Sequence, residues 1–190
     1  MTTNRYEEIA RAAITLFDQK GYHATSVQDI ADAVGLQKGS LYHYIESKEE
    51  LLLRIASQSI NGFNRELEII RNRKTAAKDR LIQAIHHHFN IVTGDIQMTT
   101  VLLREAFLLG DEQQSAVKQA TDRYLDLWVD IIKEGMDNHE FRPGDARLTA
   151  LSILGSCNWV YRWYDGSGSK TPQQIADYFC ELSLKGILAE

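Results

Sequence analysis

Apolar residues recur along this chain at the spacing of helices. Ile9, Ala12, Ala13, Leu16 and Phe17 make one stripe, and Ile30, Ala31 and Val34 make a shorter one. Leu51, Leu52, Ile55, Ser59 and Phe63 begin a long third stripe, and Leu148, Leu151, Gly155 and Trp159 form another. Strict alternation joined by Asn-Gly or Asp-Gly turns is missing, so no hairpin is predicted. The aromatic run Trp159–Tyr164 is the best strand competitor, but it continues a helical stripe and is read as helix. The only prolines are Pro143 and Pro172, which leaves residues 1–142 free of helix breakers.

Start and stop signals divide the pattern. Ser26 precedes Asp29, Ser47 precedes Glu50, Asp111 precedes Gln114, and Thr171 precedes Gln174 with Pro172 at the first helical position. Stops fall at Gly21, Gly35, Gly94, Gly110 and the run Gly166–Ser169. Helices are predicted at 4–20, 27–34, 38–45, 48–72, 76–92, 97–109, 112–138, 145–164 and 172–188. The fold class is therefore all-α, with about nine helices. Two domains are expected, residues 1–47 and 48–190, with helix 48–72 connecting them.

Composition narrows the function. The chain has 190 residues, with 21 Lys and Arg against 26 Asp and Glu and a net charge of −5. A polycation that coats nucleic acid is excluded, while a local basic site is not. The N-terminus carries Glu7, Glu8 and Arg11 where a secretory signal needs apolar residues, and no run is long enough to span a membrane. Cys157 and Cys180 form no framework of disulfides. A cytoplasmic protein is expected.

The sharpest local signal lies in residues 26–45. A two-turn helix ends at Gly35, a three-residue turn follows, and a second short helix begins near Lys38. This is the spacing of a helix-turn-helix, whose second helix enters the major groove. Leu41 and Ile45, four apart, share the buried face. Gly39, Tyr42 and His43 then project outward, with Ser40 at the margin and Lys38 and Lys48 flanking. These side chains suit phosphate and base contacts. By spacing alone, an ordinary helical hairpin with a solvated polar face explains the pattern equally well. Residues 1–50 are also acidic, with five basic against eight acidic side chains.

The whole stretch Ile9–Leu52, IARAAITLFDQKGYHATSVQDIADAVGLQKGSLYHYIESKEELL, resembles the DNA-binding region of the TetR family of bacterial transcriptional regulators. The resemblance puts Thr25, Ser26, Gln28, Lys38, Gly39, Ser40, Tyr42, His43, Tyr44 and Lys48 at DNA-facing positions. Gln37 belongs to the same surface, standing where the family usually has Ser or Thr to cap the recognition helix. Ile45 stands where Phe is common.

The resemblance further implies a double-stranded operator, a homodimer, and a C-terminal domain that binds a small hydrophobic effector and dimerises. Small and apolar side chains fit a dimer interface at Leu151 and Gly155 in one helix and Ile175, Phe179 and Leu182 in the next. Bulky and cationic candidates for the effector site are Phe89, Arg104, Phe107, Tyr124, Trp128, Trp159, Arg162 and Trp163, each of which also suits a plain core or an ion pair. GSCNWVYRWY at 155–164 and GMDNHEFRPGD at 135–145 resemble the subgroup that responds to acyl-CoA thioesters of fatty-acid or sterol breakdown. A multidrug-type sensor is the alternative.

The basic cluster Arg71, Arg73, Lys74, Lys78 and Arg80 suits CoA phosphates or a solvated loop. The run His86-His87-His88 points its rings about 100° apart, so it makes no metal site by itself. No cofactor is expected. An all-helical enzyme with a vestigial helix-turn-helix lacks a nucleophile–base pair or a glycine-rich loop, so the chain is read as a regulator, not an enzyme.

Overall fold

A computed structural model describes residues 5–105 and 115–188. Nine α-helices follow one another among the described residues: α1 (Arg5–Lys20), α2 (Val27–Ala33), α3 (Lys38–Leu41), α4 (Lys48–Arg71), α5 (Ala77–Gly94), α6 (Ile96–Arg104), α7 (Ser115–Asp137), α8 (Ala146–Asn158) and α9 (Pro172–Ile187). The chain beyond Asn158 tightens into a 3-10 turn, Trp159–Arg162, so the aromatic run is neither strand nor α-helix. An isolated bridge pairs Phe141 with Leu188. The expected cap at Asp111 and stop at Gly110 lie outside the described residues.

The chain forms two compact units: Met1–Ser59 with Gln97–Lys118, and Ile60–Ile96 with Gln119–Glu190. In the first, α1 turns Ile9, Ala13 and Phe17 inward at four-residue intervals. Ile30, Ala31, Leu41, Ile45, Leu51 and Leu52 are likewise buried. Tyr22 lies edge-on to Phe17, with ring centroids 5.2 Å apart. Gly35 adopts φ +65° in the turn after α2, a left-handed conformation that side chains oppose. The capping box at α2 is complete: Ser26 Oγ accepts from Asp29 N, and the Asp29 carboxylate accepts from Ser26 N at 2.8 Å.

The third helix is shorter than expected. Its α-helical part stops at Leu41, and His43 N and Tyr44 N reach back only three residues, to the carbonyls of Ser40 and Leu41. Gln37 supplies no side-chain cap. A four-residue helix without a cap has few bonds to propagate, and burial of Leu41 and Ile45 holds it instead.

The second unit is built on a core of Leu67, Leu81, Ile85, Phe89, Trp128, Ile131, Ile132, Phe141 and Val160. Ala76 provides no cap for α5, and the Glu140 carboxylate replaces it by accepting from Ala77 N and Lys78 N, each at 3.0 Å. Arg80 is 4% exposed and makes two bonds to the Glu134 carboxylate, at 2.9 and 2.6 Å. This fork lowers the Glu134 pKa and raises that of Arg80. Thr171 and Gln174 form the expected capping box at α9, with Pro172 in its first turn.

Candidate functional site

In the first unit the turn after α2 and the segment that follows form a continuous polar surface. Gln37, Lys38, Gly39, Tyr42, His43 and Tyr44 are exposed, and Ser40 is half-buried. Leu41 and Ile45 lie beneath and fix the direction of this surface. Tyr42 and Tyr44 remain 47% and 40% exposed, which is high for large aromatic rings with hydroxyl donors. A Cβ added at Gly39 would meet nothing within 4 Å, so its lack of a side chain serves no internal packing. Together these groups offer a cation, hydroxyl and imidazole donors and an open stretch of backbone, the donors that phosphate oxygens and base edges require.

Four other residues of the expected interface have internal roles. Thr25 is 1% exposed, and its hydroxyl donates to Gly21 O at 2.9 Å. Ser26 Oγ donates to Asp29 Oδ2 at 2.6 Å, and Lys20 approaches the same carboxylate at 3.0 Å. These bonds hold the Asp29 carboxyl well below the usual carboxylate range. Gln28 Nε2 donates to Asp32 Oδ1 at 2.7 Å.

Lys48 differs most from the sequence expectation. Its Nζ donates to Tyr22 O at 2.6 Å and to Thr25 O at 2.7 Å, and lies 4.2 Å from the centre of the Tyr22 ring. Burial pushes its pKa down. Lys48 thus clamps the α1–α2 loop from the start of α4. Spacings of 26 and 23 residues carry no sequence signal for this contact.

In the second unit, Tyr124 and Trp128 come together around His88, which sequence reasoning did not single out as a site. Phe89 is 1% exposed and packs on Phe179, with ring centroids 5.0 Å apart. His88 lies between Tyr124 and Asn158. A signal for its burial did exist: His88 continues the apolar spacing Leu81, Ile85, Val92 on α5. The neighbouring rings face elsewhere, His86 Nε2 to Asp177 at 3.1 Å and His87 Nε2 to Phe63 O at 3.2 Å.

Trp159 and Trp163 are 62% and 48% exposed, and Arg162 is exposed beside them. Arg104 lies exposed at the end of α6 in the first unit, and Phe107 lies outside the described residues. Within the basic cluster, Arg80 is bound to Glu134, Arg71 pairs with Asp130 at 3.0 Å, and Arg73 bonds Gln83. Lys74 and Lys78 are exposed.

An apolar strip runs along α8 and α9. Leu148, Leu151, Trp159, Tyr178 and Leu182 are exposed. A groove of about 490 Å³ lies between the two helices, lined by Leu148, Ser152, Ser156, Leu182 and Gly186. Added Cβ atoms at Gly155 and Gly186 would meet nothing within 4 Å. Of the residues expected at an interface, Leu151, Gly155 and Leu182 lie open, while Ile175 and Phe179 are half-buried in their own unit.

Comparison with known proteins covers nearly the whole chain. Residues 9–55 match the family model for bacterial regulatory proteins of the tetR family, and residues 74–187 match that of the tetracyclin repressor-like C-terminal domain. The HTH-type transcriptional repressor KstR2 of Mycolicibacterium smegmatis is 27% identical across 97% of this chain and 91% of its own. The crystal structure of AibR in complex with isovaleryl coenzyme A and operator DNA superposes with a TM-score of 0.86 and 29% identity, covering 94% of this chain and 97% of that one. The transcriptional regulator FadR from Bacillus subtilis, in complex with stearoyl-CoA, superposes with a TM-score of 0.80 and 26% identity over 95% and 98% of the two chains.

Proposed function

The chain belongs to the TetR family of bacterial regulatory proteins, and from that membership we propose a homodimeric repressor released from a palindromic operator by an acyl-CoA thioester. The observation that carries the effector class is the full-length likeness to two regulators whose structures hold acyl-CoA ligands of very different chain length, AibR and FadR. Operator contact falls to the open surface Gln37–Tyr44, with Lys38, Tyr42, His43 and Tyr44 as donors. Thr25, Ser26, Gln28 and Lys48 position that surface. Binding to an operator supports a cytoplasmic location.

Two-fold symmetry follows from the operator geometry. A dimer presents paired recognition helices ~34–36 Å apart to two half-sites. The exposed strip of Leu148, Leu151, Trp159, Tyr178 and Leu182 supports α8 and α9 as the face that meets a second copy. On this reading Trp159 and Trp163 serve assembly, and the effector is held by the interior that contains Phe89, Tyr124 and Trp128.

Release is a population shift. The effector binds the DNA-incompetent geometry more tightly than the competent one, and a full switch requires a preference of about 10⁴-fold. Helix α4 contributes to both units: Lys48 clamps the α1–α2 loop, and Asn64, four turns on, donates to Ala120 O at 2.9 Å. On this reading α4, which runs from Lys48 to Arg71, is the element whose displacement couples effector to operator.

The test is a thermal-shift panel of fatty acids, acyl-CoAs, aromatic drugs and free CoA, followed by operator release measured by fluorescence anisotropy. Thioesters should raise the melting temperature and release DNA. Release by drugs and by no thioester would replace the acyl-CoA reading with a multidrug-type sensor.

A further inference from the structure

The turn between α2 and α3 sets the direction in which the open surface Gln37–Tyr44 leaves α2. Leu36 N donates to Ala31 O at 2.9 Å and Gly35 N to Asp32 O at 3.1 Å, with Gly35 at φ +65°. This is the Schellman arrangement, which satisfies the last carbonyls of the helix. It does not use the carbonyl of the capping residue itself, Val34, and no backbone N–H among the described residues reaches that oxygen. Its donor comes from 29 residues earlier: Arg5 Nη2 bonds Val34 O at 2.7 Å.

Arg5 opens α1 and is held in place on its own helix. Its Nη1 donates to the Glu8 carboxylate one turn on, so the planar guanidinium bridges α1 and the turn. The next residue, Tyr6, lies under Arg54 of α4, whose guanidinium carbon is 4.1 Å from the ring centre. The first turn of α1 is thus placed by α4, and through Arg5 it reaches the turn before α3. Lys48 grips the opposite end of α2, on the carbonyls of Tyr22 and Thr25. Each end of α2 is therefore fastened by a cation that ends on backbone carbonyls.

We infer that Arg5 is a positioning residue for operator recognition, one that fixes the angle of the recognition surface through Val34 O without touching DNA. This deepens the operator reading above and rests on it. Helix α3 spans four residues and has no side-chain cap at Gln37, so it holds its direction poorly by its own bonds. The guanidinium on Val34 O, just before α3 begins, supplies from α1 what the missing cap does not. Base contacts depend on that direction, whereas attraction to phosphates carries no sequence information. Loss of the bond therefore costs sequence discrimination more than general affinity for DNA.

Anisotropy titrations of the full-length protein with two probes test this: the duplex that wild-type protein enriches from a randomised library, and a scrambled duplex of the same composition. Arg5→Met keeps the apolar stem and removes the donors. It should weaken binding to the selected duplex about tenfold more than to the scrambled one. The slope of log affinity against log salt should stay as in wild type. Arg5→Lys, which can still donate to Val34 O, should recover part of the discrimination. Thermal melts of both variants verify that binding is compared between folded proteins. An unchanged ratio between the duplexes in Arg5→Met confines the bond to stability and overturns the inference. Equal losses on both duplexes, with the slope lowered by about one, make Arg5 a phosphate contact and also overturn it. In both cases wild-type preference for the selected duplex leaves the operator reading standing. A wild type that enriches no sequence overturns both.

Discussion

Removing the Lys48 side chain separates two roles that a lysine near DNA can play. In Lys48→Ala, the carbonyls of Tyr22 and Thr25 lose bonds of 2.6 and 2.7 Å from an ammonium, and the Tyr22 ring loses a cation 4.2 Å from its centre. Hydrogen bonds to charged groups contribute about 1.5–3 kcal/mol each. Part of this is offset, because the ammonium regains water in the unfolded chain and the freed carbonyls gain some. A net loss of about 2–3 kcal/mol remains, which for a chain of this size lowers the melting temperature by roughly 4–12 °C. A lysine that serves only a phosphate would leave stability within about 0.5 kcal/mol. It would also lower the slope of log affinity against log salt by about one. Urea unfolding followed by circular dichroism, beside anisotropy titrations at several salt concentrations, reads both quantities. The expected result is a destabilised protein with an unchanged salt slope. Unchanged stability with a slope reduced by about one would refute the clamp and return Lys48 to the phosphate backbone.

The remaining expectations concern other parts of the molecule. Lys38→Ala should do the reverse of Lys48→Ala, reducing the salt slope by about one with the melting temperature unchanged, and Tyr42→Ala should weaken operator binding by about tenfold or more in the same titrations. Gly135→Ala would set a Cβ 2.3 Å from the ring of Phe141, which is 1% exposed and has no room to yield, so a loss of about 2–3 kcal/mol is expected in urea unfolding. His88 has a folded pKa of about 4 against 6.5 unfolded, so the unfolded state binds more protons between those values. Its contribution, on the order of 3 kcal/mol, is fully present above pH 6.5 and is lost as pH falls through 4. His88→Gln should flatten that part of the stability–pH curve relative to wild type. Leu182→Glu, on the exposed strip of α9, should convert a dimer into a species near 21.6 kDa by light scattering while the secondary structure persists.

Helical periodicity and punctuation were legible in the sequence because they are local. The stripe Ile9, Ala13, Phe17 needs only the 3.6-residue repeat, and the caps at Ser26 and Thr171 need only a residue three positions on. The outward face of the segment after α2 was legible too, since Leu41 and Ile45 going inward leaves Gly39, Tyr42 and His43 outward. Where a local signal was weak, extent was misjudged: without a cap at Gln37, α3 ends at Leu41, and α8 gives way to a 3-10 turn after Asn158. Aromatic character did not say which rings would be core. Trp128 and Trp159 are chemically the same, yet one is 0% and the other 62% exposed, because exposure depends on which neighbours pack against each helix face. Lys48 and His88 make the same point for polar groups. Their partners lie 23 to 70 residues away, and no pattern along the chain encodes a carbonyl of Tyr22 or an amide of Asn158 at bonding distance. Sequence determined the helices and the outward face of residues 37–44, since both follow from contacts between near neighbours. Only the tertiary structure decided which side chains clamp and which lie open to a partner, because those depend on distances between elements that the linear order does not contain.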